Sequence, residues 1–141
     1  MGIIMRALIV EDNESLRMLN RLFLQSLGFQ SDEAPDGSVA LKMIQEVDYD
    51  FIISDIDMPV LNGIELYQQI SAHFPHLCDR IVFATGNTTN ERYSEFFKTV
   101  SCPVLFKPFF REELAKVMRL LLERSYGGKA LKRMKMRQSV V

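Results

Sequence analysis

Acidic, hydroxyl and lysine side chains stand at the ends of several apolar segments in this sequence. Glu11 and Asp12 follow RALIV, Asp55 follows FIIS, Thr85 ends RIVFAT, and Lys107 follows PVLF. Carboxylates, a hydroxyl and an ammonium group could together bind a cation and handle a phosphoryl group. The chemistry is available only if the fold brings these segment ends together.

The charges indicate what such a site would hold. Two carboxylates about 4 Å apart repel by roughly 4 kcal/mol at an effective dielectric near 20. Three acids and one lysine leave an excess of negative charge, so we expect a divalent cation, and all-oxygen ligands favour Mg²⁺. Asp55, beside the metal, Lys107 and the Thr85 hydroxyl, would then be a nucleophile that accepts a phosphoryl group as an acyl phosphate. Taken alone, Asp12 could merely cap a helix and Asp55 could merely bond to its own turn.

The elements that would position these groups alternate between strand and helix. Short apolar strands are predicted at 6–11, 51–54, 80–85 and 103–106, and a more polar strand at 29–34. Between and after them, apolar residues recur at helical spacing on five segments: Leu16, Leu19, Phe23 and Leu27; Val39, Ala40, Leu41 and Ile44; Leu66, Ile70 and Phe74; Tyr93, Phe96, Phe97 and Val100; Leu114, Val117, Met118 and Leu121. The first helix has a candidate cap at Asp12 or Asn13 and ends at Gly28.

Five strand–helix repeats predict a single α/β domain with a parallel sheet covered on both faces. The doubly wound, flavodoxin-like order 2-1-3-4-5 places the polar second strand at an edge of the sheet. In such sheets ligands bind beyond the carboxyl ends of the strands, where the strand order reverses. That edge is where Asp12, Asp55, Thr85 and Lys107 would meet.

Length and composition fit one globular domain. The 141 residues are 48% hydrophobic and 25% charged, and the apolar runs are too short for a membrane span. The N-terminus reaches Glu11 and Asp12 too soon for a typical signal peptide, and Cys78 and Cys102 lack metal-ligand spacing. We therefore expect two free thiols and a cytoplasmic location.

Charge is unevenly distributed along the chain. From Arg124 onward there are six basic residues and no acid, whereas the first 123 residues hold 11 basic and 18 acidic side chains, a net charge of −7. An acidic body argues against direct DNA binding by the domain. We expect a domain over 1–124 and a basic C-terminal tail over 125–141, broken from the last helix by Gly127-Gly128 and flexible in solution.

Four motifs together resemble those of response-regulator receiver domains. They are VEDN (10–13), DIDMPVLNG (55–63), FATG (83–86) and LFKPF (105–109), in order and at the usual spacing. The resemblance covers about residues 5–124. It implies a two-component phosphoacceptor that takes its phosphoryl group from a histidine kinase or a histidine phosphotransfer protein, with no enzymatic turnover beyond self-catalysed phosphorylation and dephosphorylation.

The resemblance also implies residue roles. Asp55 is the phosphoacceptor, and Asp12 and Asp55 are direct Mg²⁺ ligands. Glu11 acts on the metal through water, and Asp57 binds it through its backbone carbonyl. Thr85 and Lys107 contact the phosphoryl group, and the Lys107-Pro108 peptide bond is cis.

One position departs from the family pattern. Many receivers carry Tyr or Phe three residues before the lysine, where this chain has Val104. The aromatic side chain that many receivers have at this position is therefore absent, and any conformational change must be transmitted to partners through other residues. The segment PVLFKPF (103–109) also resembles receivers attached to hybrid histidine kinases, which is compatible with a role in a phosphorelay.

Two other functions compete with this interpretation. An Asp-x-Asp after a strand also begins the site of haloacid-dehalogenase phosphatases, although Met58-Pro59 follows here and the chain leaves no room for a cap domain. A receiver-shaped interaction module that is never phosphorylated is the second alternative, which the intact acids and lysine disfavour.

The surface that passes the signal on is predicted on the fourth and fifth helices. Leu120 and Leu122 predict an apolar surface there that binds a partner or forms a homodimer.

Overall fold

A computed structural model of the protein describes residues 4–86 and 90–126. The predictions about Gly127-Gly128 and the rest of the tail lie outside these residues. The described chain alternates strand and helix as expected: β1 (Met5–Val10), α1 (Glu14–Ser26), β2 (Phe29–Ala34), α2 (Gly37–Glu46), β3 (Phe51–Asp55), α3 (Gly63–His73), β4 (Ile81–Thr85), α4 (Glu91–Thr99), β5 (Val104–Phe106) and α5 (Arg111–Tyr126). A 3₁₀ helix, Pro75–Arg80, precedes β4 and was not predicted.

The five strands form one parallel sheet in the order β2-β1-β3-β4-β5, which confirms the predicted fold. Strand β2 is at an edge, as its polar sequence suggested. The register pairs Val10 with Ser54, Asp55 with Ala84, and Thr85 with Phe106. The carboxyl ends of β1, β3, β4 and β5 therefore finish close to one another at the same edge of the sheet.

Side chains alternate between the two faces of the sheet, and each face has its own core. Helices α1 and α5 cover one face, where Ala7 and Ile9 of β1 are buried. Helices α2, α3 and α4 cover the other face, where Leu8 and Val10 are buried. Continuous apolar strands are thus explained by burial on both sides.

Two helix faces differ from the prediction. Leu19 of α1 is 42% exposed, and the buried side of that helix passes instead through Asn20 and Leu24. Leu122 of α5 is 1% exposed and belongs to the core, because α5 packs against the 3₁₀ helix as well as the sheet. The prediction that Leu122 contributes to an apolar surface is therefore wrong.

Candidate functional site

Three carboxylates meet at the edge where the strand order reverses. Glu11 and Asp12 follow β1 directly, and Asp55 is the last residue of β3. One carboxylate oxygen from each of the three lies within 4.8 Å of the other two. Glu11 and Asp55 are buried, whereas Asp12 is exposed to solvent. The sequence prediction that these acids would converge is confirmed by this geometry.

Lys107 is the basic partner of this cluster. Its Nζ lies 2.6 Å from Oε1 of Glu11 and 3.3 Å from Oδ2 of Asp55. The side chain is 21% exposed, so the ammonium group is held between two buried acids while one side still faces the cleft. Sequence analysis placed Lys107 near Asp55 but did not predict that its shorter contact is with Glu11.

Thr85 and the backbone of β5 complete the edge. Thr85 ends β4 and is buried, and its carbonyl oxygen accepts a hydrogen bond of 2.8 Å from the Lys107 amide. The Lys107-Pro108 peptide bond is cis, as the family resemblance implied. Lys107 is thus held at the site by its backbone as well as its side chain.

The loop after β3 carries Asp57 past the cluster. The backbone amide of Asp57 donates to Oδ1 of Asp55 over 3.3 Å, while its side chain is exposed. Gly63 closes the loop by donating its amide to the carbonyl oxygen of Ile56 at 2.9 Å. A Cβ at position 63 would lie only 2.7 Å from the carbonyl oxygen of Asp55, so a side chain there would push the loop away from the site.

Helix α1 begins beside the acids and is fastened there by two residues. Asn13 is the N-cap, because its side chain accepts from the Leu16 amide, which decides between the two predicted caps. Arg17 donates from Nη1 to the carbonyl oxygens of Glu11 at 2.8 Å and Asp12 at 3.2 Å. Sequence reasoning did not identify Arg17. The signal was its position one turn after the cap on a helix that follows the acidic pair.

The crowding of charge shifts two pKa values. A hydrogen bond with the Glu11 carboxyl, burial and the charge of Glu11 raise the pKa of Asp12. Burial by itself would lower the pKa of Lys107, but the hydrogen bond to Glu11 and the charges of Asp55 and Glu11 outweigh it and raise the pKa. Both shifts show that negative charge exceeds positive charge at this edge.

The donor set fits Mg²⁺. It offers oxygen ligands only, with acids that repel each other and one lysine that cannot neutralise them all. Exposed Asp12 and the open side of the cleft leave room for waters and phosphate oxygens, which Mg²⁺ usually keeps among its ligands. Asp12 and Asp55 can supply direct carboxylate ligands, with Glu11 next to them.

Comparison with known proteins places the chain in a family. Residues 7–119 match the family model described as "Response regulator receiver domain". The protein therefore belongs to the response regulator receiver domain family, as its motifs and fold both indicate. This class comprises the receivers of two-component signalling systems.

Several members of the family resemble the chain along most of its length. It is 31% identical to the chemotaxis protein CheY-3 of Vibrio cholerae over 126 residues, which cover 85% of this chain and 93% of that protein. It is 34% identical to the transcriptional regulatory protein RprY of Bacteroides fragilis over 89% of this chain, but it spans only 52% of that protein. The match to RprY is thus to about half of a longer protein.

A solved structure of the family contains a metal ion. The receiver domain of the sensor histidine kinase PA1611 from Pseudomonas aeruginosa PAO1 superimposes with a TM-score of 0.77 at 27% identity, covering 85% of this chain and 98% of that domain. That structure has a magnesium ion coordinated in its active-site cleft.

Among the described residues of the present chain, no helix combines the length and hydropathy needed to cross a membrane.

Proposed function

We propose that the protein is a two-component receiver that accepts a phosphoryl group on Asp55 in a Mg²⁺-dependent reaction and thereby switches its protein contacts. The observation that carries the proposal is the cluster itself. Glu11, Asp12 and Asp55 place carboxylate oxygens within 4.8 Å of one another, and Lys107 Nζ lies 3.3 Å from the Asp55 carboxylate. A purely structural site would pair each acid with its own cation.

In the proposed reaction, an Asp55 carboxylate oxygen attacks the phosphorus of a phosphohistidine on a histidine kinase or phosphotransfer protein. The P–N bond breaks, the electron pair goes to the imidazole nitrogen, and an acyl phosphate forms on Asp55. When bound, Mg²⁺ supplies positive charge to the phosphoryl oxygens. Asp12 and Asp55 would hold it directly, Glu11 would act through water, and Asp57 would contribute its backbone carbonyl.

The remaining groups stabilise the charge of the transferred phosphoryl. Lys107 exchanges part of its contact with the acids for a phosphoryl oxygen, and the Thr85 hydroxyl donates a hydrogen bond to another. Water attack on the acyl phosphate later returns Asp55 to its carboxylate. The protein thus assists its own phosphorylation and dephosphorylation without turning over a separate substrate.

Intact mass analysis after incubation with acetyl phosphate and Mg²⁺ tests the proposal. We expect the mass of one phosphoryl group on the wild type and none on Asp55→Asn. Asp48→Asn, which removes an acid that pairs with Arg80 and His76 at the opposite end of the sheet, is a control and keeps the adduct. An adduct on Asp55→Asn would contradict the assignment. No adduct on the wild type would favour the unphosphorylated interaction module.

The phosphatase alternative is not favoured by the family match, and it has its own test. A haloacid-dehalogenase-type enzyme would release inorganic phosphate repeatedly from a small phosphate ester. We expect phosphate release from acetyl phosphate to proceed no faster than hydrolysis of the Asp55 adduct. Multiple turnover of p-nitrophenyl phosphate would support the phosphatase.

We place the output contact on the face formed by α4, β5 and α5. Phe106 is 57% exposed and Leu120 is 42% exposed there, so an apolar surface remains although Leu122 is buried. A downstream protein or a second copy of the chain is the proposed partner, in the cytoplasm and without direct DNA contact by the domain. Sedimentation with and without beryllofluoride, with Leu120→Glu as the test variant and Leu22→Glu on α1 as its control, distinguishes self-association from a monomeric receiver.

A further inference from the structure

A cavity of about 220 Å³ lies between helix α1 and the segment that joins β5 to α5. Most of its wall is apolar and comes from Leu16, Leu19 and Phe23 on α1 and from Pro108 and Phe109 on the opposite side. The rings of Phe23 and Phe109 are tilted against each other, with centroids 6.4 Å apart. Leu19 is 42% exposed, so this side chain lies where the cavity meets solvent.

Asn20 contributes a carboxamide to this apolar wall. The residue is only 7% exposed and lies with Leu24 on the buried side of α1. Within the described part of the chain, its side chain has no hydrogen-bond partner. A buried polar group without a partner is unfavourable for the folded protein, and native structures contain few of them. Asn20 is therefore the group in this cavity that a bound molecule would satisfy.

Two charged side chains also border the cavity, but they bind each other. Lys107 Nζ lies 2.6 Å from Oε1 of Glu11 and 3.3 Å from Oδ2 of Asp55. The ammonium group is thus already neutralised from the side of the acids, and an anionic occupant would lie near the cluster of three carboxylates. A cationic occupant would have to displace Lys107 from its partners. The charges therefore favour a neutral occupant.

The size and the wall of the cavity define the occupant further. A cavity of about 150 Å³ lined by aliphatic and aromatic side chains can hold benzene. The larger cavity here can hold a fused aromatic ring system, which would pack against the rings of Phe23 and Phe109. A carboxamide can both donate and accept hydrogen bonds. An N–H or O–H group on the aromatic molecule would satisfy the oxygen of Asn20.

We propose that this cavity is a binding site for a neutral aromatic small molecule whose N–H or O–H group donates a hydrogen bond to the Asn20 carboxamide. The apolar wall supplies most of the contact, and Asn20 fixes the orientation, which is the usual division of roles in a ligand pocket. The inference goes beyond the proposed function, because binding here requires neither Mg²⁺ nor a phosphoryl group.

Indole is a suitable probe, because the chain contains no tryptophan and the fluorescence of added indole is free of a tryptophan signal. Titration of indole with the wild type should show saturable binding with a dissociation constant below about 1 mM, a modest affinity in keeping with so small a ligand. Benzofuran has the same ring shape without the N–H group. It should compete with indole but bind about three- to tenfold more weakly, the loss of one net hydrogen bond.

Asn20→Leu removes the carboxamide and keeps a side chain of similar size. This variant should bind indole about three- to tenfold more weakly than the wild type and should no longer distinguish indole from benzofuran. Its melting temperature should not fall, because the lost amide had no partner in the folded chain. Gln25→Leu is the matched control, since it removes an exposed carboxamide from the same helix, and it should bind indole like the wild type.

Three results would overturn the proposal. The first is a wild type that shows no saturable binding of indole, which would leave the cavity to an apolar side chain of a protein partner. The second is equal affinity of the wild type for indole and benzofuran, a comparison that does not depend on any variant. The third is a loss of indole affinity in Gln25→Leu as large as that in Asn20→Leu. A lower melting temperature of Asn20→Leu would assign Asn20 to stability and would also contradict the proposal.

Discussion

Both ends of the sheet carry acids, but the acids at the two ends have different partners. At the end opposite the site, Asp48 lies 3.2 Å from Nη1 of Arg80 and 3.3 Å from Nε2 of His76. Asp50 accepts one hydrogen bond from the Tyr126 hydroxyl at 2.7 Å and another from the Arg6 amide at 2.9 Å. Each of these acids has its own donors, so the chain folds around them without any further ligand.

At the carboxyl end of the strands, two of the acids share one cation, the Lys107 ammonium group. Glu11 and Asp55 both contact Lys107, and Asp12 adds a third carboxylate within 4.8 Å. Removal of charged groups from water costs several kcal/mol unless they are fully compensated. The comparison indicates that the paired acids are neutralised within the fold, whereas the acids that share one lysine leave negative charge that a bound cation could neutralise.

The loop after β3, at the site's end of the sheet, also contains a strained backbone conformation. Val60, in the loop after β3, has φ of 67°, a left-handed conformation that is unfavourable for a β-branched residue. Its side chain is exposed, so packing does not explain the conformation. Such strain is tolerated where the surrounding loop is fixed for another purpose, here by Gly63 and the hydrogen bonds that close the loop.

The largest expected effect comes from removal of the shared lysine. Lys107→Met leaves two buried carboxylates without their cation, and we expect the free energy of unfolding of the metal-free protein to fall by about 2 kcal/mol, less than for a fully buried pair because Lys107 is partly exposed. Mg²⁺ should restore part of the loss by neutralising the same acids. Urea unfolding with Mg²⁺ and with EDTA measures both. A loss that Mg²⁺ does not reduce would mean that the acids are not a metal site.

Asp12→Asn should separate metal affinity from stability. We expect Mg²⁺ affinity to fall at least about tenfold, because a direct charged ligand is lost. The metal-free protein should be no less stable than the wild type, because the raised pKa of Asp12 shows that its neighbours penalise its charge. Calorimetry and thermal unfolding in EDTA test the two halves. Wild-type Mg²⁺ affinity in this variant would remove Asp12 from the ligand set.

Asp50→Ala makes the reverse change at the paired end. It leaves the Tyr126 hydroxyl and the Arg6 amide without their acceptor, and we expect a loss of about 1–2 kcal/mol in stability. Mg²⁺ affinity and phosphorylation of Asp55 should match the wild type. A drop in Mg²⁺ affinity would show that the two ends of the sheet are coupled, and the distinction between structural and functional acids would fail.

How far the sequence predicts this molecule depends on the kind of signal. Apolar periodicity and turn residues located the five strands and five α-helices of the described chain, but not the 3₁₀ helix, and brought Asp12, Asp55, Thr85 and Lys107 to one edge, because parallel strands leave few topologies. Leu19 and Leu122 were misassigned because periodicity defines a stripe but not which neighbours flank it. Arg17 escaped prediction since it acts across a tertiary contact that has no fixed spacing in the chain.

The end of α5 offers the smallest and most local test, and it refines the predicted boundary between domain and tail. Helix α5 runs to Tyr126, whose hydroxyl binds Asp50 and whose ring lies 5.0 Å from the Arg80 guanidinium. A chain that stops after Tyr126 should accept the phosphoryl group and melt like the full chain, since we predict that the tail serves neither the core nor the site. A chain that stops after Ser125 lacks only one more residue but should lose about 1 kcal/mol of stability with the hydrogen bond and the cation–π contact. Thermal unfolding of the two truncated proteins measures this difference directly. Equal melting temperatures would show that Tyr126 contributes nothing at the paired end, and a loss already present after Tyr126 would place part of the tail in the folded structure.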